Sequence, residues 1–365
     1  MTAKKNTKRR MKSDADKNIG LLRRLFRIAT GNGRNRSPGN YERVGQCFFL
    51  HFTVKICPKL VHFSVYSWKD VQIETTMKRF CSFFLMAFAI FSAGPVFAGS
   101  RIVTDTISSK VLSADVVCNV YLPDGYDASK SYPVIYLLHG LTNTYTAWVE
   151  EGNMKLVADE LMETGECVPA VIVMPNAGNP DTHNVWNGYF NMEGWSYEDF
   201  FFTEFLPWVE TRYNAGGSKG RRAVMGLSMG GGGSVVYCQR HPDKFSSCYA
   251  MSAWLDDGDR EVGDVNEAKK DKLYHTYMAV RAHSALNFVR NADEATLERL
   301  RTVKWFIDCG DDDFLFDLSV GLHQLMRDRK VKDELTVRNG VHNWEYWHQA
   351  LRIALPFASR NFSCE

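Results

Sequence analysis

Ala223-Val224-Met225-Gly226-Leu227-Ser228-Met229-Gly230-Gly231-Gly232-Gly233 begins as an apolar run and ends as a run of glycines, with one serine at the junction. The pattern is that of a nucleophile elbow, a strand that turns sharply into a helix so that a serine hydroxyl stands clear of the sheet. Such a turn strains the backbone at Ser228. Glycines at 226 and 230 remove side chains that would collide where strand and helix approach, and the helix N-terminus behind Ser228 aims backbone N–H groups at developing negative charge. A bland glycine-rich turn would carry the same letters, so the rest of the chain must decide.

Downstream, the apolar run Val303-Lys304-Trp305-Phe306-Ile307 ends in Asp308-Cys309-Gly310-Asp311-Asp312-Asp313, which places an acid at a strand end. Further on, Leu335-Thr336-Val337-Arg338 leads through Asn339-Gly340 to Val341-His342, directly before a helical pattern that begins near Trp344. Serine, then an aspartate, then histidine is the chain order of the α/β-hydrolase triad and differs from the orders in the chymotrypsin and subtilisin folds. Upstream, Pro133-Val134-Ile135-Tyr136-Leu137-Leu138 is a continuous apolar run of the kind that fills a central parallel strand, and it ends in His139-Gly140-Leu141-Thr142. In this fold the oxyanion hole uses the N–H after the nucleophile, here Met229, and one from the loop after that earlier strand, most simply Leu141.

On these residues the chain resembles the putative-esterase family of α/β hydrolases, which includes S-formylglutathione hydrolases, tributyrin-type esterases, feruloyl and acetylxylan esterases, and mycolyltransferases. The resemblance spans roughly residues 101 to 360. It rests on Leu138-His139-Gly140, Gly226-Leu227-Ser228-Met229-Gly230-Gly231, Cys309-Gly310 followed by Asp313-Phe314-Leu315, and Gly340-Val341-His342-Asn343-Trp344 with Tyr346-Trp347. It implies an α/β-hydrolase fold: a mostly parallel, doubly wound sheet with helices on both faces. It also implies acyl transfer through a covalent intermediate, with Ser228 as nucleophile and His342 as base. The family's acid stands immediately before the Phe-Leu pair, which selects Asp313; Asp311 and Asp312 are left as loop or helix-cap residues. His342 is preferred to His348, which falls inside a helical pattern, and His139 reads as a support of the oxyanion loop. Gly232-Gly233 is a departure, since relatives commonly carry a larger residue in the helix's first turn.

Other segments fit an alternating strand–helix rhythm. Residues 102 to 122 look like a hairpin or meander. Met154, Val157, Ala158 and Leu161 recur at helical spacing, Val171-Ile172-Val173-Met174 is a buried strand, Phe202, Phe205, Leu206 and Val209 mark a helix, and 245 to 251 return as a strand. The long charged segment 252–295 breaks the rhythm and reads as an insertion over the active-site edge.

The amino-terminal part is different in kind. Met77-Lys78-Arg79, the apolar stretch 80–91 and Ala93-Gly94-Pro95-Val96-Phe97-Ala98 form the three parts of a secretory signal peptide over 77–98, with cleavage expected after Ala98. As a membrane anchor the stretch is short and is broken by Gly94-Pro95. A signal of this type acts only at a protein's start. Residues 1–76, with 16 Lys+Arg against 5 Asp+Glu and no sustained periodicity, are therefore expected to be an over-extended start or a disordered segment. A basic arm for nucleic acid or membrane would leave the internal export signal unexplained.

The remaining 99–365 would be one α/β-hydrolase catalytic domain of ordinary size, exported to the periplasm or the extracellular space. Its 26 Lys+Arg against 37 Asp+Glu argue against DNA, RNA or anionic lipid as the main partner. Of its six cysteines, Cys118, Cys248 and Cys309 lie in apolar runs and read as small buried hydrophobes, while Cys167, Cys238 and Cys364 carry no assigned pairing. No spacing of Cys or His points to a metal, the triad chemistry needs no cofactor, and oligomeric state leaves no signature.

Substrate is read from aromatic residues in pocket-forming loops: Trp186, Tyr189, Trp195 and Trp254 have flat faces suited to a sugar or a phenolic acyl group. Aromatics are equally common core material. The expected substrate is a small or polysaccharide-linked ester, acetyl or feruloyl on plant-type polysaccharide. The alternatives are a general short-chain carboxylesterase and an acyltransferase of the mycolyltransferase type; a non-catalytic binding scaffold fits least, because nucleophile, acid and base are all present.

Overall fold

The computed structural model describes residues 53–56, 59–62, 99–178, 188–256, 258 and 273–363. The chain divides into two units, Met1–Phe88 and Ala89–Glu365. In the first, Thr53–Ile56 pairs antiparallel with Lys59–His62, a pair too short to show an alternating pattern in the sequence. The signal-peptide segment 77–98 lies outside the described residues.

The second unit is built on an eight-stranded sheet. Its strands are β1 (Arg101–Ser109), β2 (Ala114–Leu122), β3 (Val134–Leu138), β4 (Val171–Pro175), β5 (Arg222–Leu227), β6 (Ser247–Met251), β7 (Lys304–Gly310) and β8 (Asp333–Arg338). They lie in the order β1-β2-β4-β3-β5-β6-β7-β8. The first two contacts are antiparallel, so 101–122 is a hairpin, and every contact from β4 to β8 is parallel. This is the order of the α/β-hydrolase fold, with β3 and β5 adjacent at the centre.

Each central strand is apolar throughout because both its faces are covered. Along β3 the residues alternate: Val134, Tyr136 and Leu138 face one core cluster, Ile135 and Leu137 the other. The second cluster is closed by α1 (Met154–Glu163), through Met154, Val157, Ala158 and Leu161, and by the C-terminal helix Trp344–Arg360, through Tyr346, Trp347, Ala350, Leu351 and Ala354. Between them in the chain come α2 (Leu206–Tyr213), α3 (Met229–Arg240), α4 (Tyr274–Ala282), α5 (Ala285–Asn291), α6 (Glu294–Leu300) and α7 (Phe316–Asp328), which cover the opposite face; the C-terminal helix is α8. The helix marked by Phe202 and Phe205 begins earlier than α2, as a π-helical turn over Phe201–Phe205.

Of the segment 252–295, read as an insertion over the active-site edge, the last part packs into the core. Helix α5 buries Ala285 and Val289 in the core cluster it shares with α3 and α7, and the start, around Trp254, adjoins the elbow. The five described cysteines are free and buried, which agrees with reading Cys118, Cys248 and Cys309 as core residues.

Candidate active site

The strand-to-helix junction places Ser228 at φ 52° and ψ −118°, a left-handed backbone that a residue with a side chain adopts only under constraint. The constraint is packing. A Cβ at Gly226 would lie 2.6 Å from the Gly230 carbonyl, and one at Gly230 would lie 2.5 Å from the Leu138 carbonyl oxygen, so β5, α3 and β3 can meet only through these glycines. The pair Gly232-Gly233, read as a departure, has a comparable cause: a Cβ at Gly232 would run into the Trp254 carbonyl and one at Gly233 would lie 2.8 Å from the Tyr189 ring.

Ser228 Oγ lies 3.0 Å from His342 Nε2, and His342 Nδ1 lies 2.8 and 3.0 Å from the two oxygens of Asp313. With Nδ1–H donating to the carboxylate, Nε2 is left to accept the serine proton. The Asp313 side chain is buried, and that burial pushes its carboxyl up. Donors from His342, the Leu315 N–H and Ser252 outweigh the effect and hold it below the ordinary aspartate value. A charged aspartate beneath a histidine follows.

The loops that carry acid and base are tied to each other. Asp311 N–H donates to the Arg338 carbonyl, Asp312 N–H to the Gly340 carbonyl, and the Gly340 N–H to the Asp311 carboxylate at 2.9 Å. Asp311 is therefore a brace of the histidine turn and not loose loop. Immediately after His342, the Asn343 side chain accepts from Tyr346 N–H at 3.1 Å and caps α8, which fixes the exit direction of the base. His348 lies one turn further on and is engaged with the Gly152 carbonyl at 2.9 Å.

The turn after β3 sits over the nucleophile: a Cβ at Gly140 would be 3.8 Å from Ser228 Cβ. Leu141 follows in that turn, and Met229 is the first residue of α3, whose N-terminus has no side-chain cap. Of the two expected oxyanion donors, Met229 is next to Ser228 in the chain and Leu141 next to the glycine that faces it. His139, 2 % exposed, holds the turn. Its Nε2 accepts from Ala177 N–H at 3.0 Å, which leaves Nδ1–H to donate to the Gly140 carbonyl at 2.7 Å. Burial outweighs that last bond and lowers the imidazole to about 4, so it is neutral.

The aromatic candidates separate. Tyr189 is fully buried; its hydroxyl accepts from His139 N–H at 2.7 Å and donates to the His139 carbonyl at 3.1 Å. Trp195 is 3 % exposed and donates to the Ala177 carbonyl at 3.2 Å. Tyr189 thus clamps the turn after β3 and Trp195 the segment after β4, both from within the core, and neither buried ring is a stacking surface, which corrects that reading. Trp254 is partly exposed beside the elbow, where its N–H donates to the Ser228 carbonyl at 2.9 Å. Trp186 lies outside the described residues.

Sequence reasoning passed over Phe314. It is 76 % exposed, and its ring centroid lies 4.4 Å from that of His342. Among the described residues it is an exposed aromatic ring set directly against the base. Its signal was the Asp-Phe-Leu motif itself, whose phenylalanine follows the acid directly.

A second carboxylate, Asp308, is fully buried five residues before Asp313. It accepts from the hydroxyls of Tyr249 at 2.6 Å and Tyr346 at 2.5 Å, and from Arg338 Nη2 at 2.9 and 3.1 Å. It is fully engaged inside the fold and does not reach the serine. Among the described residues, no group of three or more His, Cys, Asp or Glu side chains is placed to hold a metal, and no helix is long and apolar enough to cross a membrane.

A family model described as "Putative esterase" matches residues 109–358. Among solved structures, a ferulic acid esterase is 45 % identical, with a TM-score of 0.67 over 72 % of this chain and 99 % of that one. An endo-1,4-beta-xylanase/feruloyl esterase of Xylanibacter ruminicola is 33 % identical over 35 % of this chain, and an esterase of Mycobacterium tuberculosis is 32 % identical over 37 %. The matched parts are only 18 % and 28 % of those two proteins.

Proposed function

The chain belongs to the putative-esterase family of α/β hydrolases, and on that premise we propose that it is a serine esterase that releases phenolic acyl groups, feruloyl above all, from sugar-linked esters. The observation that carries the reading is the continuous path Ser228 Oγ–His342 Nε2, His342 Nδ1–Asp313, at 3.0 and 2.8 Å, on the C-terminal ends of parallel strands. Phe314 beside His342 and the likeness to a ferulic acid esterase support the aromatic acyl group.

In this mechanism Ser228 Oγ attacks the ester carbonyl carbon while His342 Nε2 takes the hydroxyl proton. Asp313 holds the imidazole in the tautomer that can accept it and stabilises the imidazolium. The oxyanion of the tetrahedral intermediate lies between the N–H groups of Leu141 and Met229, each such donor being typically worth about 3 kcal/mol of barrier. Collapse breaks the bond to the alcohol oxygen, which leaves with the proton from His342. Water then repeats the sequence on the acyl-enzyme, with His342 as base, and frees the acid and Ser228.

The test is acyl release from methyl ferulate, acetylated xylan and nitrophenyl butyrate by the protein and its Ser228→Ala variant. Serine-dependent release of ferulate is expected; release from the butyrate alone would make it a general carboxylesterase, and turnover by pure Ser228→Ala protein would overturn the triad. Export through 77–98 belongs to the same proposal. Intact-mass analysis of protein recovered outside the producing cell is expected to find Gly99 as the first residue, and any peptide from residues 1–76 would refute it.

A further inference from the structure

Ser252 follows β6 and belongs to no motif, yet three features single it out. It is fully buried, and its φ of 45° lies in the left-handed region where glycine is at ease and serine is strained. Its N–H donates to the Asp308 carbonyl at 2.7 Å, while on either side Met251 O accepts from Ser228 N–H at 2.9 Å and Trp254 N–H donates to Ser228 O at 2.9 Å. The short segment 251–254 thus joins the nucleophile elbow to the strand that carries the acid.

Its hydroxyl has a defined direction. The Trp347 indole N–H, from buried α8, donates to Ser252 Oγ at 3.0 Å. Indole is a donor only, so the serine oxygen is the acceptor and its own O–H must find another group. Two neighbours are within its reach, the Asp313 carboxylate and the Cys309 thiol. Burial pushes that thiol up to about 12, so it is a neutral, weak acceptor, and the carboxylate is the stronger of the two. The Trp347 ring also stands edge-on to His342, with centroids 4.9 Å apart and planes at 89°.

We infer that Ser252 and Trp347 form a positioning relay, Trp347 N–H to Ser252 Oγ–H to the Asp313 carboxylate, that sets the orientation of the acid and through it of His342. The inference rests on the triad reading of the previous section. On backbone grounds alone position 252 would favour glycine; a serine retained there under strain points to work done by its hydroxyl. Indole donor, hydroxyl and carboxylate come from three separate elements, so displacement of Asp313 must disturb all three.

The test compares Ser252→Gly, Ser252→Ala and Trp347→Phe in the full chain with nitrophenyl butyrate as substrate. Glycine relieves the strained φ and removes only the hydroxyl, so its melting midpoint should stay close to wild type. Its kcat should fall roughly ten- to hundredfold, with KM unchanged within about twofold. The downfield proton resonance of the His342–Asp313 hydrogen bond should move or broaden. Trp347→Phe should lower kcat less and in the same direction, and the double variant should be no worse than Ser252→Gly alone. Wild-type kcat and an unmoved resonance in both Ser252 variants would overturn the inference while Ser228→Ala remains inactive; an active Ser228→Ala would instead overturn the triad reading beneath it. Should glycine fail to fold, Ser252→Ala and Trp347→Phe decide between the same outcomes.

Discussion

Replacing His139 with glutamine should change how the domain's stability responds to acid. The wild-type imidazole is buried, accepts from Ala177 N–H and is lowered to about 4, against about 6.5 for an exposed histidine in the unfolded chain. Between those two values the unfolded chain binds a proton that the folded one refuses, so stability rises with pH across this window and is lost as pH falls through it. Full passage from above 6.5 to below 4 costs the fold about 2.5 pH units, or roughly 3 kcal/mol. Glutamine places an amide oxygen near the same Ala177 N–H and does not titrate. At neutral pH the variant should be less stable by about 1 to 2 kcal/mol, for the lost bond to the Gly140 carbonyl. On acidification the gap should close by roughly 2 kcal/mol at pH 5, so the variant should become the more stable protein between about pH 6 and pH 5. Urea unfolding of both proteins at several pH values, followed by near-ultraviolet circular dichroism, measures the difference with other titrating groups cancelled. A gap that stays constant from pH 7 to 4.5 would refute the account of His139 as a buried neutral acceptor.

Phe314→Ala should raise KM for methyl ferulate roughly three- to tenfold, the range of a lost aromatic pair, and leave kcat for nitrophenyl acetate within about twofold; steady-state kinetics on both esters checks it. Arg338→Met should leave the Asp308 carboxylate buried without its cation and destabilise the domain by roughly 3 to 5 kcal/mol, with recovery of part of the loss on adding Asp308→Asn, as read by thermal melts. Gly232→Ala forces α3 away from the Trp254 carbonyl, and overpacking of this kind costs roughly 1 to 3 kcal/mol. Because Trp254 N–H bonds Ser228 O, esterase activity should fall with the melting midpoint.

Legibility followed the physics of each residue. Ser228, His342 and the acid-bearing loop were readable because each requires a local backbone form with a written signature: glycines around the elbow, an apolar run ended by acid, a histidine before an Asn-capped helix. The central strands were readable because burial on both faces leaves them apolar throughout. Tyr189 and Trp195 were misread because an aromatic in a loop carries the same letter whether its ring lies under the chain or over it, and only the tertiary fold puts the hydroxyl of Tyr189 against His139. Ser252 was unreadable for the opposite reason: its two partners come from segments 61 and 95 residues away, and nothing adjacent in the chain marks it.

The two carboxylates on β7 and its loop show how neighbours of one chemical type are given different work. Asp308 lies on the strand, within reach of β6 and α8, and its oxygens are taken up by two tyrosine hydroxyls and Arg338. Nothing is left over for a histidine. Asp313 lies beyond the strand end, where the backbone has turned toward the loop before α8, and both its oxygens reach His342 while Leu315 N–H and Ser252 supply further donors. Arg338, the cation that satisfies Asp308, also stands over the Tyr346 ring at 4.0 Å, and its carbonyl accepts from Asp311 N–H. Satisfying the inner carboxylate therefore also fixes the turn on which the outer one and its histidine are mounted. If that coupling holds, loss of Arg338 should reduce kcat even at temperatures where the variant is fully folded, and a folded Arg338→Met protein with wild-type kcat would separate the inner cluster from the site.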